Sequence, residues 1–363
     1  MTLHRVGPRD WCLTQCGSAV FLLALAACSP DDGPDATSDA TSDSATEGAT
    51  SGASEDASTS NAAEGTSDAG TSGTTGGAAG TDATSETGST GAEEPEGVDE
   101  DGDGVYPAVP HLIAFGDVHG DGAATSEVLK AAGVVDDKYN WAAGTAWVVQ
   151  TGDQLDRGFD EEAIMNLFEK LRGQAAEAGG RFLALNGNHE VMMTEGRMDY
   201  VFDQAAFGGI DMRTEVFAPG GEWALILAKR NIIAKVGRTV FVHGGVLPEF
   251  AQEGVLTINS DAKGWFVGDA AQPDSIDGSG SVVWDRTYSE DELPEAQVCA
   301  ILDEALALMD ADRMVVAHTV QDHVNSICDG RVWRIDTGMA DYYGGVIEAL
   351  EILDDADVSV IVG

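Results

Sequence analysis

The chain of 363 residues carries 19 Lys and Arg residues against 63 Asp and Glu residues, a formal net charge of −44. Electrostatic binding of nucleic acid or of an acidic membrane surface needs a basic face, so this composition excludes both classes of binder. The five cysteines are too few and too scattered for a disulfide-dense small domain or a cysteine-rich zinc module.

The N-terminus has the pattern of an export signal. Arg5 and Arg9 precede an apolar run at 19–27 that is too short to span a bilayer as a mature helix. The run ends in small residues followed by Cys28, which resembles a bacterial lipobox, where the cysteine is acylated and becomes the mature N-terminus. We therefore predict a lipoprotein signal peptide over 1–27 and a lipid anchor in the membrane of the bacterial cell envelope, outside the cytoplasm. Ordinary cleavage near the same alanines is the alternative, and it also exports the protein.

The next segment, 28–108, consists mainly of Ser, Thr, Gly, Ala, Asp and Glu. It has too little apolar surface to offset the entropy of ordering it, which predicts a disordered, self-repelling tether. Near its end, 99–104 has alternating carboxylates followed by glycine, like half of a calcium loop. No distal glutamate follows at the spacing of an EF-hand, so an acidic linker end is the favoured interpretation.

From residue 109 onward, short apolar runs alternate with helical patterns. Six runs are predicted strands: 111–115, 147–150, 182–185, 239–242, 314–317 and 332–335. Apolar residues at helical spacing predict helices around 164–171 and 298–309. The alternation predicts an α/β domain over 109–363.

Five of these strands lead directly into polar motifs. In chain order they are Gly-Asp-Val-His-Gly-Asp at 116–121, Gly-Asp-Gln-Leu-Asp-Arg-Gly at 152–158, Gly-Asn-His-Glu at 187–190, His-Gly-Gly at 243–245 and His-Thr at 318–319. Because α/β sheets collect ligand sites at the carboxyl ends of their strands, these side chains are expected to meet. Oxygen and nitrogen donors without a thiolate suit Mn, Fe or Zn, and they argue against a structural zinc site.

The spacing of the motifs allows two metals. Asp117 and His119 lie two residues apart on one turn, so both can face one ion, and the carboxylate of Asp153 could bridge two ions. Three residues could complete the second site: Asn188, His243 and His318. A single histidine after a strand is more often a core or surface residue, but five such motifs in order favour a metal centre.

The five motifs together resemble the signature of the calcineurin-like metallophosphoesterases and, within them, the phosphoprotein phosphatases. The resemblance covers about 110–345. Asp121, the Val-His-Gly-Gly form at 242–245 and the segment 334–345 are similar to the branch called Shewanella-like protein phosphatases. Ala317 departs from the glycine common in the family, which narrows the room beside a ligand histidine. The resemblance implies a two-layer β core flanked by helices, with a dinuclear metal site at the strand ends.

The resemblance also implies a ligand set. One metal would be held by Asp117, His119 and Asp153. The other would be held by the same Asp153 and by three further residues: Asn188, His243 and His318. Mn is the expected metal, with Fe or Zn as alternatives.

Arginines and an acid–base pair complete the implied site. Arg157 is expected to bind phosphate, because a planar guanidinium matches phosphate bidentately. A second arginine is common in the family, and Arg286 stands in the matching interval, with Arg213 and Arg230 as competitors. By the same resemblance, His189 and Asp156 would form the pair that protonates the leaving oxygen. Tyr342 or Tyr343 is expected at the rim of the site, with core packing as an equal alternative for one of them.

These residues predict an exported, metal-dependent phosphatase that hydrolyses phosphomonoesters, on phosphoproteins, by direct attack of a metal-bound hydroxide. A hydrolase of dinucleoside polyphosphates or other small phosphoesters is the alternative. A calcium-dependent surface protein with an inactive fold is less favoured, because the ligand set is intact. The segment 191–238 is predicted to be a helical cap over the site. Cys299 and Cys328 are predicted either to form a disulfide or to remain two separate thiols. The choice between phosphoserine or phosphothreonine and phosphotyrosine stays open.

Overall fold

The computed structural model describes residues 102–363. The predicted signal peptide, Cys28 and most of the predicted tether lie outside these residues. Within them, no helix combines the length and the apolarity that crossing a membrane requires.

The described chain alternates strands and helices as expected for an α/β protein. The strands are β1 (Val105–Tyr106), β2 (His111–Phe115), β3 (Trp147–Gln150), β4 (Arg181–Ala184), β5 (Ile233–Val236), β6 (Thr239–Val242), β7 (Arg313–Val316), β8 (Asn325–Ile327), β9 (Val332–Arg334), β10 (Glu348–Leu353) and β11 (Asp357–Val362). The α-helices are α1 (Gly122–Ala131), α2 (Glu161–Glu177), α3 (Asn188–Thr194), α4 (Ile210–Phe217), α5 (Glu222–Leu227), α6 (Pro248–Glu253), α7 (Val255–Phe266) and α8 (Glu295–Met309). All six predicted strands are confirmed to within one residue at each end, and the two predicted helices lie within α2 and α8.

The strands form two sheets. One has the order β1-β5-β6-β7-β9-β8 and the other the order β11-β10-β2-β3-β4. Within them, β2-β3-β4 and β6-β7-β9 are parallel, so the carboxyl ends of these strands lie at one edge of each sheet.

Apolar side chains fill the space between the sheets and under the helices. Leu183, Phe241 and Val315 belong to a buried cluster with members from strands of both sheets. Phe168 on α2 packs in a second cluster with residues of the five-stranded sheet. Residues of α6, α7 and α8 pack in a third cluster with residues of the six-stranded sheet, Val240 among them. The predicted two-layer β core flanked by helices is therefore confirmed.

The folded part begins earlier than the predicted boundary at 109. Val105 and Tyr106 form β1, which pairs in parallel with β5. The Asp103 carbonyl accepts a hydrogen bond from Asn259 Nδ2 at 3.2 Å, so the assignment of 103–108 to the tether was wrong. A two-residue strand between glycine and proline carries no periodic signal, which is why the pattern did not reveal it. Asp103 Oδ1 accepts the backbone N–H of Val105 at 3.1 Å, the local turn contact of an acidic linker end.

The predicted cap, 191–238, contains the end of α3, a 3-10 turn at Ala206–Gly208, α4 and α5, joined by irregular segments, and its last part belongs to the core. After α4 and α5, the chain returns as β5, which pairs with β6 in the six-stranded sheet. The predicted end of the insertion at 238 was therefore wrong, because the insertion ends before β5. The short apolar run of β5 does not by itself indicate a strand of the core, since only its pairing with β6 shows this. Phe207, Phe217 and Trp223 pack against one another within the helical part, with ring centroids 4.9–6.1 Å apart.

A disulfide joins Cys299 on α8 to Cys328, the residue that follows β8. Of the two arrangements that the sequence allowed, the structure has the bridge. Because it closes a loop of 29 residues, it restricts the unfolded chain, and such a loop contributes about 3 kcal/mol. We expect Cys299→Ser to lower the free energy of unfolding by about that amount, measured by urea denaturation without reductant.

The control for this prediction is the unmodified protein unfolded in the presence of a reductant, which should match the variant. If the variant unfolds at the same urea midpoint as the oxidised protein, the bridge does not stabilise the fold.

Candidate metal centre and active site

The six predicted metal ligands converge at the carboxyl ends of five strands. Asp117 and His119 follow β2, Asp153 follows β3, Asn188 begins α3 after β4, His243 follows β6 and His318 follows β7. Apart from His318, each has at most 2 % of its surface exposed. The structure thus brings together all six residues that the sequence singled out as ligands.

One group of donors surrounds His119. Its Nε2 lies 3.8 Å from Asp117 Oδ2 and 3.7 Å from Asp153 Oδ2. The other ring nitrogen, Nδ1, faces the Leu155 carbonyl at 3.1 Å. That contact orients the ring so that Nε2 faces the two carboxylates.

The second group surrounds His243. Its Nε2 lies 2.8 Å from Asn188 Oδ1, 3.1 Å from His318 Nδ1 and 3.2 Å from Asp153 Oδ2. Asp153 belongs to both groups through the same oxygen, Oδ2. A carboxylate in this position can bridge two ions, as the sequence predicts for Asp153.

The donor atoms of the site lie close to one another in an arrangement that is favourable only when a cation lies between them. His243 Nδ1 faces the Thr151 carbonyl at 3.1 Å, so a neutral ring carries its proton there. Its Nε2 is then an acceptor that faces the oxygens of Asn188 and Asp153, and three acceptors repel unless a proton or a metal lies between them. In addition, Asp117 Oδ1 is buried and has no hydrogen-bond partner within 102–363. The oxygen and nitrogen donor set suits a pair of divalent ions.

The electrostatics of the cluster indicate the same need. Burial, together with the neighbouring carboxylates of Asp336 and Asp153, raises the pKa of Asp117 well above its usual value. Burial also raises the pKa of Asp336, to about 6. For Asp153, burial raises the pKa, but the nearby histidines lower it more, so its net pKa lies well below the usual value. Ionising Asp117 beside these two carboxylates therefore requires cationic neighbours.

The histidines differ in their pKa values. Burial lowers the pKa of His119 and of His318 well below the usual value, so both rings are neutral and can donate a lone pair to a metal. Burial also lowers the pKa of His243, but the Asp153 carboxylate raises it more, and the net shift is upward. The Asp153 carboxylate therefore favours a positive charge at the position of His243.

Several of these residues have an unusual backbone conformation. His119, Asp153, Asp156, Arg157 and His318 have φ angles between 40° and 69°. Non-glycine residues adopt this region at a cost of about 1–3 kcal/mol each. Surrounding contacts must therefore hold the turns that carry the ligands.

Glu190 supplies such contacts for the Asp153 turn. This fully buried carboxylate accepts the backbone N–H groups of Asp153 at 2.9 Å, Gln154 at 2.8 Å, Leu155 at 3.2 Å and Gly187 at 2.7 Å. A Cβ at Gly187 would lie 2.3 Å from Asp153 Oδ1, so only glycine fits beside this turn. Glu190 has no assigned role in the sequence prediction, although it belongs to the Gly-Asn-His-Glu motif.

We expect Glu190→Gln to weaken metal binding by about 10- to 100-fold, the usual effect of removing a group that orients a ligand. The amide has one acceptor oxygen in place of two, and its NH₂ group would face backbone N–H groups. Titration of the metal-free protein with Mn²⁺, followed by calorimetry, measures the affinity.

Glu195→Gln is the control, because Glu195 lies at the end of the same helix, α3, and pairs with Arg197 at 3.7 Å. Equal Mn²⁺ affinity for Glu190→Gln and Glu195→Gln would contradict a role for Glu190 in orienting Asp153.

The predicted acid–base pair lies beside the first group of donors. His189 Nδ1 is 2.5 Å from Asp156 Oδ2, and both residues are buried. The other nitrogen, Nε2, lies 3.8 Å from Asp153 Oδ2 and therefore faces the donors. Its position also allows His189 to serve as a ligand, so its assignment as an acid stays a prediction.

Arg157 presents its guanidinium at the same place. Its Nη1 lies 3.2 Å from His119 Nε2, and the rings of Tyr200, Tyr342 and Tyr343 lie 5.1–5.4 Å from its Cζ. Its buried Nε has no hydrogen-bond partner in the described part of the chain. Tyr342 and Tyr343 both lie at the rim of the site. Neither packs in the core, which was the alternative for one of them.

Asp121 supports the rim of the site, where Tyr342 and Tyr343 lie. Asp121 Oδ1 caps α1 by accepting the N–H of Ala124 at 2.9 Å, and its Oδ2 accepts the N–H of Asp341 at 2.7 Å. One carboxylate thus ties the start of α1 to the segment that carries Tyr342 and Tyr343.

The three arginines that could make the second phosphate contact have different surroundings. Arg286 lies beside the second group of donors, with Nη1 3.2 Å from the hydroxyl of Thr319, the residue after His318. Arg213 is fully buried and pairs with Glu161, while Arg230 pairs with Glu169. The placement favours Arg286 over its competitors, and its contact with phosphate stays a prediction.

Two further residues of the site were not predicted from the sequence. Asp336, whose carboxyl group lies against Asp117, comes two residues after β9. The rule that polar residues after strands form the site would have found it. Tyr200, whose ring lies 5.3 Å from that of His189, is in the insertion, where nothing in the sequence marks it.

Comparison with known proteins agrees with this geometry. The model of the calcineurin-like phosphoesterase family matches residues 110–322, more than half of the chain. The chain belongs to this family.

Among the relatives of this calcineurin-like phosphoesterase is Shewanella-like protein phosphatase 2 of Arabidopsis thaliana. It is 35% identical over 69% of the chain and 77% of the relative. Shewanella-like protein phosphatase 1 of Plasmodium berghei is 28% identical over 63% of the chain and 67% of the relative. Among solved structures, a cold-active protein-tyrosine phosphatase of a psychrophilic Shewanella species superposes with a TM-score of 0.62 at 25% identity, covering 73% of this chain and 84% of the other. The predicted resemblance is confirmed, and the calcineurin-like phosphoesterase is a phosphoric monoester hydrolase of a family with dinuclear metal sites.

Proposed function

We propose that this calcineurin-like phosphoesterase is an exported protein phosphatase that uses two divalent ions, with Mn²⁺ as the expected metal. The observation that carries the proposal is the placement of Arg157, whose guanidinium lies against the metal donors with a buried, unused Nε donor. This leaves a charged, planar group available to a phosphate that reaches the metals. The names of the relatives, both protein phosphatases, support the phosphoprotein substrate.

In the proposed mechanism, the divalent ions, when bound, polarise the phosphate and lower the pKa of a water. Arg157 binds the phosphoryl oxygens and orients the ester. His189 holds a proton at Nε2 for the leaving oxygen, and Asp156 accepts the N–H at Nδ1, which fixes the tautomer and stabilises the imidazolium. Arg286 would add a second guanidinium from the side of His318.

The rim favours an aromatic leaving group. Phe159, Phe202 and Tyr342 form a continuous row, with ring centroids 6.2 Å and 5.6 Å apart. Phe159 is 68% exposed and Tyr342 is 50% exposed, so both rings are accessible to a substrate. A phosphotyrosine ring can pack against such rings, whereas phosphoserine offers no ring. The similar Shewanella protein is a protein-tyrosine phosphatase, which supports the same substrate class.

Turnover of phosphopeptides with added Mn²⁺ tests this proposal. We expect kcat/KM to be highest for a phosphotyrosine peptide, lower for the matched phosphoserine peptide and lowest for diadenosine tetraphosphate. A preference for diadenosine tetraphosphate would favour the small-phosphoester alternative. Absence of turnover on every substrate, with both metals bound, would favour an inactive surface protein.

We further propose that the protein is a lipoprotein of the bacterial cell envelope, anchored through Cys28. Two lipid signals suffice for stable membrane anchoring. We expect Cys28→Ser to move the protein from the membrane fraction to the soluble envelope fraction or the medium, measured by fractionation and immunoblotting.

Cys16→Ser is a matched control within the same segment and should leave the protein on the membrane. If Cys28→Ser stays on the membrane as well, acylation of Cys28 is not the anchor.

A further inference from the structure

Glu161 and Arg213 form an ion pair that is closed off from solvent. Arg213 Nη1 lies 2.8 Å from Glu161 Oε2, and Nη2 lies 2.5 Å from Glu161 Oε1. Both side chains are 0% exposed. A bidentate contact of this kind fixes the plane and the position of the carboxylate.

The same carboxylate supports the turn of the acid–base pair. Glu161 Oε1 also accepts the backbone N–H of Asp156 at 2.5 Å. Asp156 and Arg157 are consecutive residues with φ angles of 69° and 63°. Neither is a glycine, so the turn depends on contacts from outside it.

The guanidinium belongs to the insertion at 191–238, whose Tyr200 ring lies 5.3 Å from that of His189. Arg213 lies on α4, its Nη1 donates to the Asp203 carbonyl at 3.3 Å, and its Cζ lies 5.0 Å from the centroid of the Phe207 ring. The carboxylate of Glu161 therefore joins α4 to the Asp156 turn, beside the direct hydrogen bond that the Arg157 N–H donates to the Tyr200 carbonyl at 3.0 Å.

We propose that the Glu161–Arg213 pair positions the general acid. The pair holds Asp156 in a fixed place relative to α4, and Asp156 in turn orients the imidazole of His189. The inference rests on the proposed role of His189. Asp156 is linked to the proposed acid by the contact between its Oδ2 and His189 Nδ1, at 2.5 Å. A shift of Asp156 turns the imidazole away from the leaving oxygen but leaves the metal ligands in place.

A second pair on the same helix provides a matched control. Glu169 lies two turns further along α2 and pairs with the buried Arg230 at 2.6 Å. Within 102–363, its carboxylate accepts hydrogen bonds from Arg230 and Arg172 and none from the Asp156 turn. Glu169 is 29% exposed where Glu161 is 0% exposed, so Glu169→Gln removes a more solvent-screened charge contact on the same helix. Its partner Arg230 also donates to Gln154 Oε1 at 2.5 Å, and neither residue contacts Asp156 within 102–363.

The test compares Glu161→Gln with Glu169→Gln and His189→Ala on p-nitrophenyl phosphate and on a phosphoserine peptide, at equal metal content. We expect Glu161→Gln to lower kcat on the phosphoserine peptide by about 10- to 100-fold, the usual cost of misplacing a catalytic group by about 1 Å. Its KM should not change, and its loss on p-nitrophenyl phosphate should be below about threefold, because that leaving group needs little protonation. Glu169→Gln should affect both substrates equally.

If Glu161→Gln does not fold, the double variant Glu161→Gln/Arg213→Met carries the same test, because removing both charges leaves neither one buried and unpaired. Equal losses on the two substrates, with a selective loss for His189→Ala, would overturn the positioning role alone. Equal losses for His189→Ala as well would overturn the proposed acid, and this inference with it.

Discussion

Asp153→Asn is expected to lose at least one bound metal and to lower kcat/KM by about three orders of magnitude or more. Asp153 Oδ2 lies 3.7 Å from His119 Nε2 and 3.2 Å from His243 Nε2, so one oxygen faces both groups of donors. Substituting an amide removes the negative charge shared by two cations. Metal assistance contributes several kcal/mol to transition-state stabilisation, and each 1.36 kcal/mol corresponds to about a factor of ten in rate.

Metal content by mass spectrometry and turnover of p-nitrophenyl phosphate measure both effects in one preparation. Asp160→Asn is the matched control, because Asp160 lies on the same loop, and its exposed carboxylate contacts the N–H of Gly122 at 3.3 Å. The control should keep two metals and its rate. An Asp153→Asn protein with two metals and a normal rate would show that Asp153 is not the bridge.

His189→Ala is expected to slow hydrolysis in proportion to the need of the leaving group for a proton. General acid catalysis contributes about 10²- to 10⁴-fold. A serine alkoxide leaves poorly without a proton, whereas p-nitrophenolate leaves readily. The loss should therefore be largest on a phosphoserine peptide, intermediate on a phosphotyrosine peptide and smallest on p-nitrophenyl phosphate.

Metal content decides between the two possible roles of His189. Its Nε2 lies 3.8 Å from Asp153 Oδ2, close enough for a ligand position. If His189 is the acid, the variant keeps both metals, and Asp156→Asn shows the same order of losses more weakly. Equal losses on the three substrates with both metals retained would assign His189 to phosphate binding, whereas loss of a metal would make it a ligand.

The ligand motifs could be located from the sequence because each follows a short apolar run. Asp117 after β2, His243 after β6 and His318 after β7 all lie at carboxyl ends of parallel strands. Parallel strands bring these ends to one edge of a sheet, so the position of a motif along the chain already predicts its place in the fold. The same reasoning, applied to β9, would have included Asp336.

The supporting contacts could not be predicted, because they join segments without a shared pattern. Glu190 holds the N–H of Gln154 across 36 positions in the chain, and β10 pairs with both β2 and β11. The pairing of β10 with β2 joins the two ends of the described domain. An unpaired apolar run gives no indication of such a distant partner.

The kind of chemistry follows from side-chain types and their order along the chain, since donor atoms, charge and strand periodicity are local properties. The choice among the arginines is different. Arg213 is neutralised by Glu161, 52 positions away, while Arg286 approaches Thr319 beside the metal donors, 33 positions away. The three arginines have the same guanidinium, and their roles differ because burial and partners arise only when distant segments pack together.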